Sequence, residues 1–251
     1  MNWNGPAGAC ILAAMVLPAS AAIPLSASMP CAEEIVARMN QSERTRDRNL
    51  TAYSAVRRYA LRSESGKIAV MTVRLVYRSD SGKTFEVLSQ NGSDGIFRHV
   101  LEKVLQAESD TSRAHNNELI SPENYNFRLL GMGQQGSHRC YVLQLLPKHK
   151  SKYLIDGKAW IDAEDFALVR MEGRTAGSVS FWIGKPYITQ SFEKVGNYWL
   201  ASKNDSIANA KFVGRTELTI ESSDYSVPGL EREQVAQSTG YGSGAARASA
   251  P

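Results

Sequence analysis

Lys67-Ile68-Ala69-Val70-Met71-Thr72-Val73-Arg74-Leu75-Val76-Tyr77-Arg78 alternates along its whole length. Ala69, Met71, Val73, Leu75 and Tyr77 form one unbroken apolar face, and Val70, Thr72, Arg74, Val76 and Arg78 form a mixed one. A period of two is a strand period, and an apolar face backed by a mixed one belongs to a sheet covered on one side. Ser79-Asp80-Ser81-Gly82 is turn chemistry, and Lys83 to Ser89 reads as the next strand. So short a connection joins antiparallel neighbours.

The pattern spreads in both directions. Upstream, 50–62 reads as a strand and 32–48 as a helix. That helix has Glu33 and Glu34 in its first turn, a narrow face of Ile35, Val36 and Met39, and Arg44, Arg46 and Arg48 at its end. Downstream, Ser93 and Asp94 are cap candidates for a second helix over about 94–107. Ile96, Phe97, Val100, Leu101, Val104 and Leu105 recur there at helical spacing. From Asn124 onward strands are predicted at 124–131, 138–146, 153–162, 166–175, 178–184, 187–195, 198–209 and 212–225. Gly131–Gly136 and Asp156-Gly157 are read as turns between them. The expected fold is α+β: about eleven antiparallel strands in a curved sheet, with helices covering the concave face.

Outside this region the chain changes character. Met1 to Pro30 contains no Lys, Arg, Asp or Glu. Its apolar run from Ala9 to Leu17 leads into Pro18 and Ala19-Ser20-Ala21. That is the pattern of a secretory signal peptide, 1–21, with a second small-residue site at Ala27. About nine apolar residues are too few to span a bilayer core of roughly 30 Å. Ser28 and Pro30 do not suit lipidation of Cys31. Cleavage leaves Cys31 and Cys140, which either pair in an oxidising compartment or stay apart, Cys140 then acting as a small buried hydrophobe on a strand. Beyond Pro228 the Gly/Ser/Ala-rich residues 228–251 read as a disordered tail.

Composition excludes several classes. With 43% hydrophobic and 22% charged residues, the 251-residue chain is neither fibrous nor wholly disordered. A net charge of +4 at this length makes no dense basic stripe, so no nucleic-acid partner is expected. Gly131-Met132-Gly133-Gln134-Gln135-Gly136 matches the dinucleotide pattern on paper, yet a strand follows where that site needs a helix, which makes it a hairpin. His99, His115, His138 and His149 lack partners at metal-ligand spacing. Asp162, Glu164 and Asp165 lie between two strands, where turn chemistry accounts for them. No nucleophile motif is present. The expectation is a protein that is not an enzyme and carries no cofactor and no metal.

Several segments together resemble a known family. They are Glu33-Glu34-Ile35-Val36, Leu50-Thr51-Ala52-Tyr53, Val73–Arg78, Lys83–Val87, Asn124-Tyr125, Leu146-Pro147-Lys148, Gly157–Asp162, Phe181-Trp182-Ile183 and Tyr198-Trp199-Leu200. Residues 32–227 are similar to the LolA-like superfamily of outer-membrane lipoprotein-sorting proteins, which includes receptor and envelope-stress-sensor relatives. The resemblance implies an incomplete antiparallel barrel, a half-barrel domain with a helical lid, together with an apolar cavity for acyl chains and a Gram-negative periplasm. Leu75, Tyr77, Phe85, Phe97, Leu101, Trp160, Phe181, Trp182 and Trp199 would line the cavity. Arg78 best matches the family's arginine that ties the lid shut, although Ser79 stands where the carrier usually has proline.

The expected function is therefore a periplasmic carrier or binding protein for lipoprotein acyl chains or other lipids, in peripheral rather than integral contact with membranes. The alternative is an envelope protein-interaction or stress-sensor module of the same fold, bound to another envelope protein. The Arg57-Arg58 and Arg74/Arg78 charges are expected near the cavity rim or facing water.

Overall fold

The computed structural model describes residues 29–92, 95–113, 120–179, 184–210 and 214–229. Two helices, α1 (Ala32–Asn49) and α2 (Gly95–Arg113), lie on one face of a single ten-stranded sheet. The strands are β1 (Ala52–Ser63), β2 (Ile68–Arg78), β3 (Gly82–Gly92), β4 (Tyr125–Gln135) and β5 (His138–Pro147), then β6 (Ile155–Asp162), β7 (Leu168–Thr175), β8 (Tyr187–Val195), β9 (Tyr198–Ala210) and β10 (Gly214–Ser226). Their order is β3-β2-β1-β10-β9-β8-β7-β6-β5-β4, with every neighbouring pair antiparallel. Two meanders are thus joined where β1 meets β10. The edges, β3 and β4, do not pair, and the curved sheet stays open, as the resemblance implied.

Each helix covers its own end of the sheet. Ile35, Val36 and Met39 of α1 pack with Tyr125, Leu143, Leu145, Ala159 and Ile161 from β4–β6. Leu101 and Leu105 of α2 pack with Tyr59, Leu61, Met71 and Val73 from β1 and β2. A third cluster, including Leu50, Tyr53, Leu75 and Leu200, joins the end of α1 to the sheet. The apolar face of β2 is the inner one, and Ala69, Met71, Val73 and Leu75 are buried there.

The sequence reading needs four corrections. There are ten strands among the described residues rather than eleven. Residues 178–179 and 184 carry no strand, and 180–183 lie outside the described residues. Neither linker is the turn expected: 131–135 continues β4, leaving only Gly136 in the turn, and Asp156-Gly157 lies within β6, where Gly157 faces Gly173 of β7. The helix expected over 94–107 runs to Arg113. Arg57 does not face water: its side chain points inward and is 4% exposed. By contrast, Arg58 and Arg74 are exposed beside Glu221 and Glu86.

Other turns form as the residue types dictate. Gly131 occupies the bulge of the β4–β5 hairpin, and Gly136 turns it with φ +57°. The Asp162 carboxylate accepts from the backbone N–H groups of Glu164 and Asp165, at 2.9 and 2.7 Å, which closes the β6–β7 turn. Cys31 is exposed at the start of α1 and Cys140 is buried on β5, both as free thiols. Burial holds the Cys140 thiol at a pKa of about 11, with Asp162 adding to the rise.

Candidate functional site

Arg57 is the least expected residue of the inner face. On β1 it alternates in phase with Tyr53, Ala55, Tyr59 and Leu61, so it is carried inward with them. Its partner is Glu108 of α2, in phase with Leu101 and Leu105 on the helix underside. The Arg57 Nη1–Glu108 Oε2 distance is 2.5 Å, and Arg57 Nε donates to Ser222 Oγ of β10 at 3.0 Å. The Tyr59 hydroxyl donates to the other Glu108 oxygen at 3.1 Å. One residue further on, the Ser109 hydroxyl donates to the Lys83 carbonyl of β3 at 3.2 Å. The second half of α2 is thereby tied to β1 and β3, and through Arg57 to β10, with an apolar seam of Leu101 and Leu105 beside the polar tie.

Burial disfavours the Arg57 cation, but Glu108 and Tyr59 outweigh it and hold the guanidinium charged. Burial, and then the Arg57 cation, lower the Lys83 pKa. Tyr53 and Tyr59 are both raised above the usual tyrosine range, chiefly by burial, and burial raises Tyr225 as well.

These tyrosines set an alkaline limit. A raised folded pKa means the native state keeps protons that the unfolded chain releases above about pH 10. The stability tied to these groups is therefore intact below pH 10 and is lost as pH rises beyond it. The tyrosine share of the urea midpoint should be level up to about pH 10 and fall towards pH 12, on top of the fall that the buried Cys140 thiol brings from about pH 8.5. The fall should be shallower in Tyr59→Phe and Tyr53→Phe. An unchanged slope in both variants would contradict the assigned burial.

The residues expected to line a cavity divide into groups. Leu75 and Tyr77 of β2, Phe85 of β3 and Leu101 of α2 all lie on the inner face. Leu75 and Leu101 are wholly buried, and Tyr77 stacks on Tyr53 with ring centroids 5.1 Å apart. Trp160 lies on the outer face, because Ala159 and Ile161 take the inner positions of β6, and Arg170 stands over its ring at 5.8 Å. Trp199 sits at the β8–β9 hairpin, donating its indole N–H to Asp165 at 3.0 Å and meeting the His138 ring edge-on. It lines a small pocket of about 80 Å³ at the end of α1 with Arg46, Leu50, Phe192 and Tyr198. The Phe97 side chain, Phe181 and Trp182 fall outside the described residues.

Arg78 is exposed at the end of β2, opposite Ala52, with no ion pair among the described residues. The arginine that holds α2 is Arg57. Its signal was legible: an arginine in phase with Tyr53, Tyr59 and Leu61 on a strand, and a glutamate in phase with leucines on a helix.

Among the described residues, no group of three or more His, Cys, Asp and Glu side chains is arranged to hold a metal. No described helix is long and apolar enough to cross a membrane.

A family model described as an uncharacterized protein matches residues 108–231. No curated protein matches the sequence. Similar solved structures include a LolA superfamily protein from Nitrosomonas europaea, at 11% identity and TM-score 0.42, with 82% of this chain and 97% of that one covered. A DUF1329 family protein from Desulfovibrio piger is 11% identical, at TM-score 0.38, covering 79% of this chain and 92% of its own. A putative outer membrane lipoprotein-sorting protein domain from Vibrio parahaemolyticus is 12% identical, at TM-score 0.37, covering 80% of this chain and 96% of its own.

Proposed function

We propose that the chain is an exported, non-enzymatic binding protein for acyl chains, described here with its lid closed. The observation that carries this reading is the tie beneath α2. A helix whose whole purpose was to cover β1–β3 would do so best with apolar residues, since a buried ion pair is often no more stabilising than a hydrophobic replacement. An Arg57–Glu108 pair set into an apolar seam instead lets the helix part from the sheet at a defined place. Lifting α2 would uncover Tyr59, Leu61, Met71, Val73 and Phe85 as a continuous apolar trough.

Acyl chains suit such a trough physically. A buried methylene contributes about 0.8 kcal/mol, so roughly ten supply about 8 kcal/mol before the costs of association. Binding needs no catalytic group. The uncharged leader 1–21 supports export to the periplasm, and acyl chains of lipoproteins or of free lipids fit the same trough. In this reading Arg57 takes the latch role that the resemblance would have given to Arg78, Leu101 lies on the underside of the lid, and Phe85 is a trough residue packed against the α2 cluster.

A second reading is favoured by a different observation. Met71, Val73, Leu75 and Leu101 are all 0% exposed, so this part of the interior is filled. A filled interior would suit a module that binds another envelope protein over its surface. The separating experiment is organic extraction of protein purified from a Gram-negative periplasm, with mass spectrometry of the extract and titration with a fluorescent fatty acid. Bound acyl species and saturable probe uptake support the carrier. A clean extract with no uptake overturns it in favour of the interaction module.

A further inference from the structure

The outer face of the sheet carries a pocket of about 440 Å³ that the lid reading does not use. Arg174 of β7, Tyr187 of β8, Ile207 of β9 and Glu217 of β10 stand in one cross-strand row. Gly173, Ile188, Ser206 and Leu218 form the next row, and Leu218 packs with the α2 cluster. The row with Arg174 therefore faces away from both helices.

Three cations line this pocket: Arg174, Lys185 and Arg215. The Arg174 guanidinium lies 5.9 Å from the centre of the Tyr187 ring. Arg215 is matched by Glu217, to which its Nε and Nη2 donate at 3.2 and 3.1 Å. Asp156 lies opposite Arg174 in the β6–β7 ladder, yet no salt bridge joins them. Arg174 and Lys185 thus have no acidic partner within bonding distance among the described residues. Beside them, Tyr187 and Ile207 are each 36% exposed and add an apolar wall.

Positive groups from β7 and from the segment leading into β8 suit an anion with several oxygens, and guanidinium and ammonium groups both recognise phosphate. The apolar wall would be idle for a bare ion. We propose that this pocket binds a phosphate-bearing amphiphile, its phosphate on Arg174 and Lys185 and its adjoining apolar portion against Tyr187 and Ile207. The site lies on the face opposite α2 and does not rest on the acyl-chain reading.

The test compares the wild type with Arg174→Gln/Lys185→Gln. Arg128→Gln/Lys158→Gln is the control, removing the same charge from the outer face of β4 and β6. Calorimetric titration with dihexanoyl phosphatidic acid and with inorganic phosphate is paired with sedimentation on phosphatidylglycerol and phosphatidylcholine vesicles. The amphiphile should bind the wild type more tightly than phosphate does, and about tenfold or more weakly after loss of Arg174 and Lys185. The control pair should bind as the wild type. Vesicle binding with the same dependence identifies a membrane lipid as the source, and binding of the soluble amphiphile alone identifies a free one. Absence of both, equal loss in the two double variants, or phosphate binding as tightly as the amphiphile overturns the proposal. Fatty-acid probe uptake should be the same in all three proteins, so failure here leaves the lid reading standing.

Discussion

Replacing Glu108 by alanine is expected to cost about 3 kcal/mol of stability, because it leaves the Arg57 guanidinium buried without its counter-charge. The Arg57 side chain is 5% exposed and that of Glu108 is 24% exposed, so the arginine has little water to turn to. A loss of that size corresponds to a fall of roughly 6–12 °C in Tm for a chain of this length. The double variant Arg57→Met/Glu108→Leu should lie within about 1 kcal/mol of the wild type, since packed apolar residues replace a buried pair at little cost. The two measurements separate stability from function. If α2 is a lid, the apolar double variant holds it shut, and uptake of the fatty-acid probe slows or stops although the fold is intact. If the double variant takes up probe as the wild type does, the ion pair is structural and α2 does not open there. A loss below 1 kcal/mol for Glu108→Ala in urea unfolding would show that the pair is not buried as described.

Much of this fold was legible because alternation and helical spacing report which face is buried. The inner face of β2 follows directly from Ala69, Met71, Val73, Leu75 and Tyr77. The α1 face of Ile35, Val36 and Met39 is equally direct. What alternation cannot do is distinguish a sheet's two faces when both carry large side chains. Trp160 is bulky and aromatic, yet it packs under Arg170 on the outer face while the small Ala159 goes inward. Charge misled in the opposite direction. Residue type points Arg57 to the rim or to water, although its phase places it with Tyr53 and Tyr59. Residue type is the weaker signal once a partner such as Glu108 can satisfy the buried charge. The basic pocket on the outer face could not have been found from sequence. It depends on the register that sets Arg174, Tyr187 and Ile207 side by side from three strands.

The glycine pair inside β6 and β7 leads to the second large effect, Gly157→Ala. Read as turn chemistry, Asp156-Gly157 has no reason to resist substitution. In the sheet, Gly157 lies directly opposite Gly173, and the two backbones approach so closely that neither has room for a methyl group. A Cβ on Gly157 would lie 2.0 Å from the Glu172 carbonyl oxygen and 2.6 Å from the Gly173 Cα. Both obstacles are backbone, so no rotamer change relieves them and the strands themselves must part. Gly173 has φ +154° and would meet the Asp156 carbonyl oxygen at 2.3 Å, so alanine there is excluded twice over. Overpacking of this kind costs about 3 kcal/mol or more. Gly157→Ala should therefore lower the urea midpoint strongly, and adding Gly173→Ala should not restore it. Gly136→Asn is the matching control. That hairpin glycine has φ +57° with nothing near its missing Cβ, a conformation asparagine accepts, and the change should stay within about 0.5 kcal/mol. Equal stability of Gly157→Ala and the control would mean that β6 and β7 do not touch at this pair.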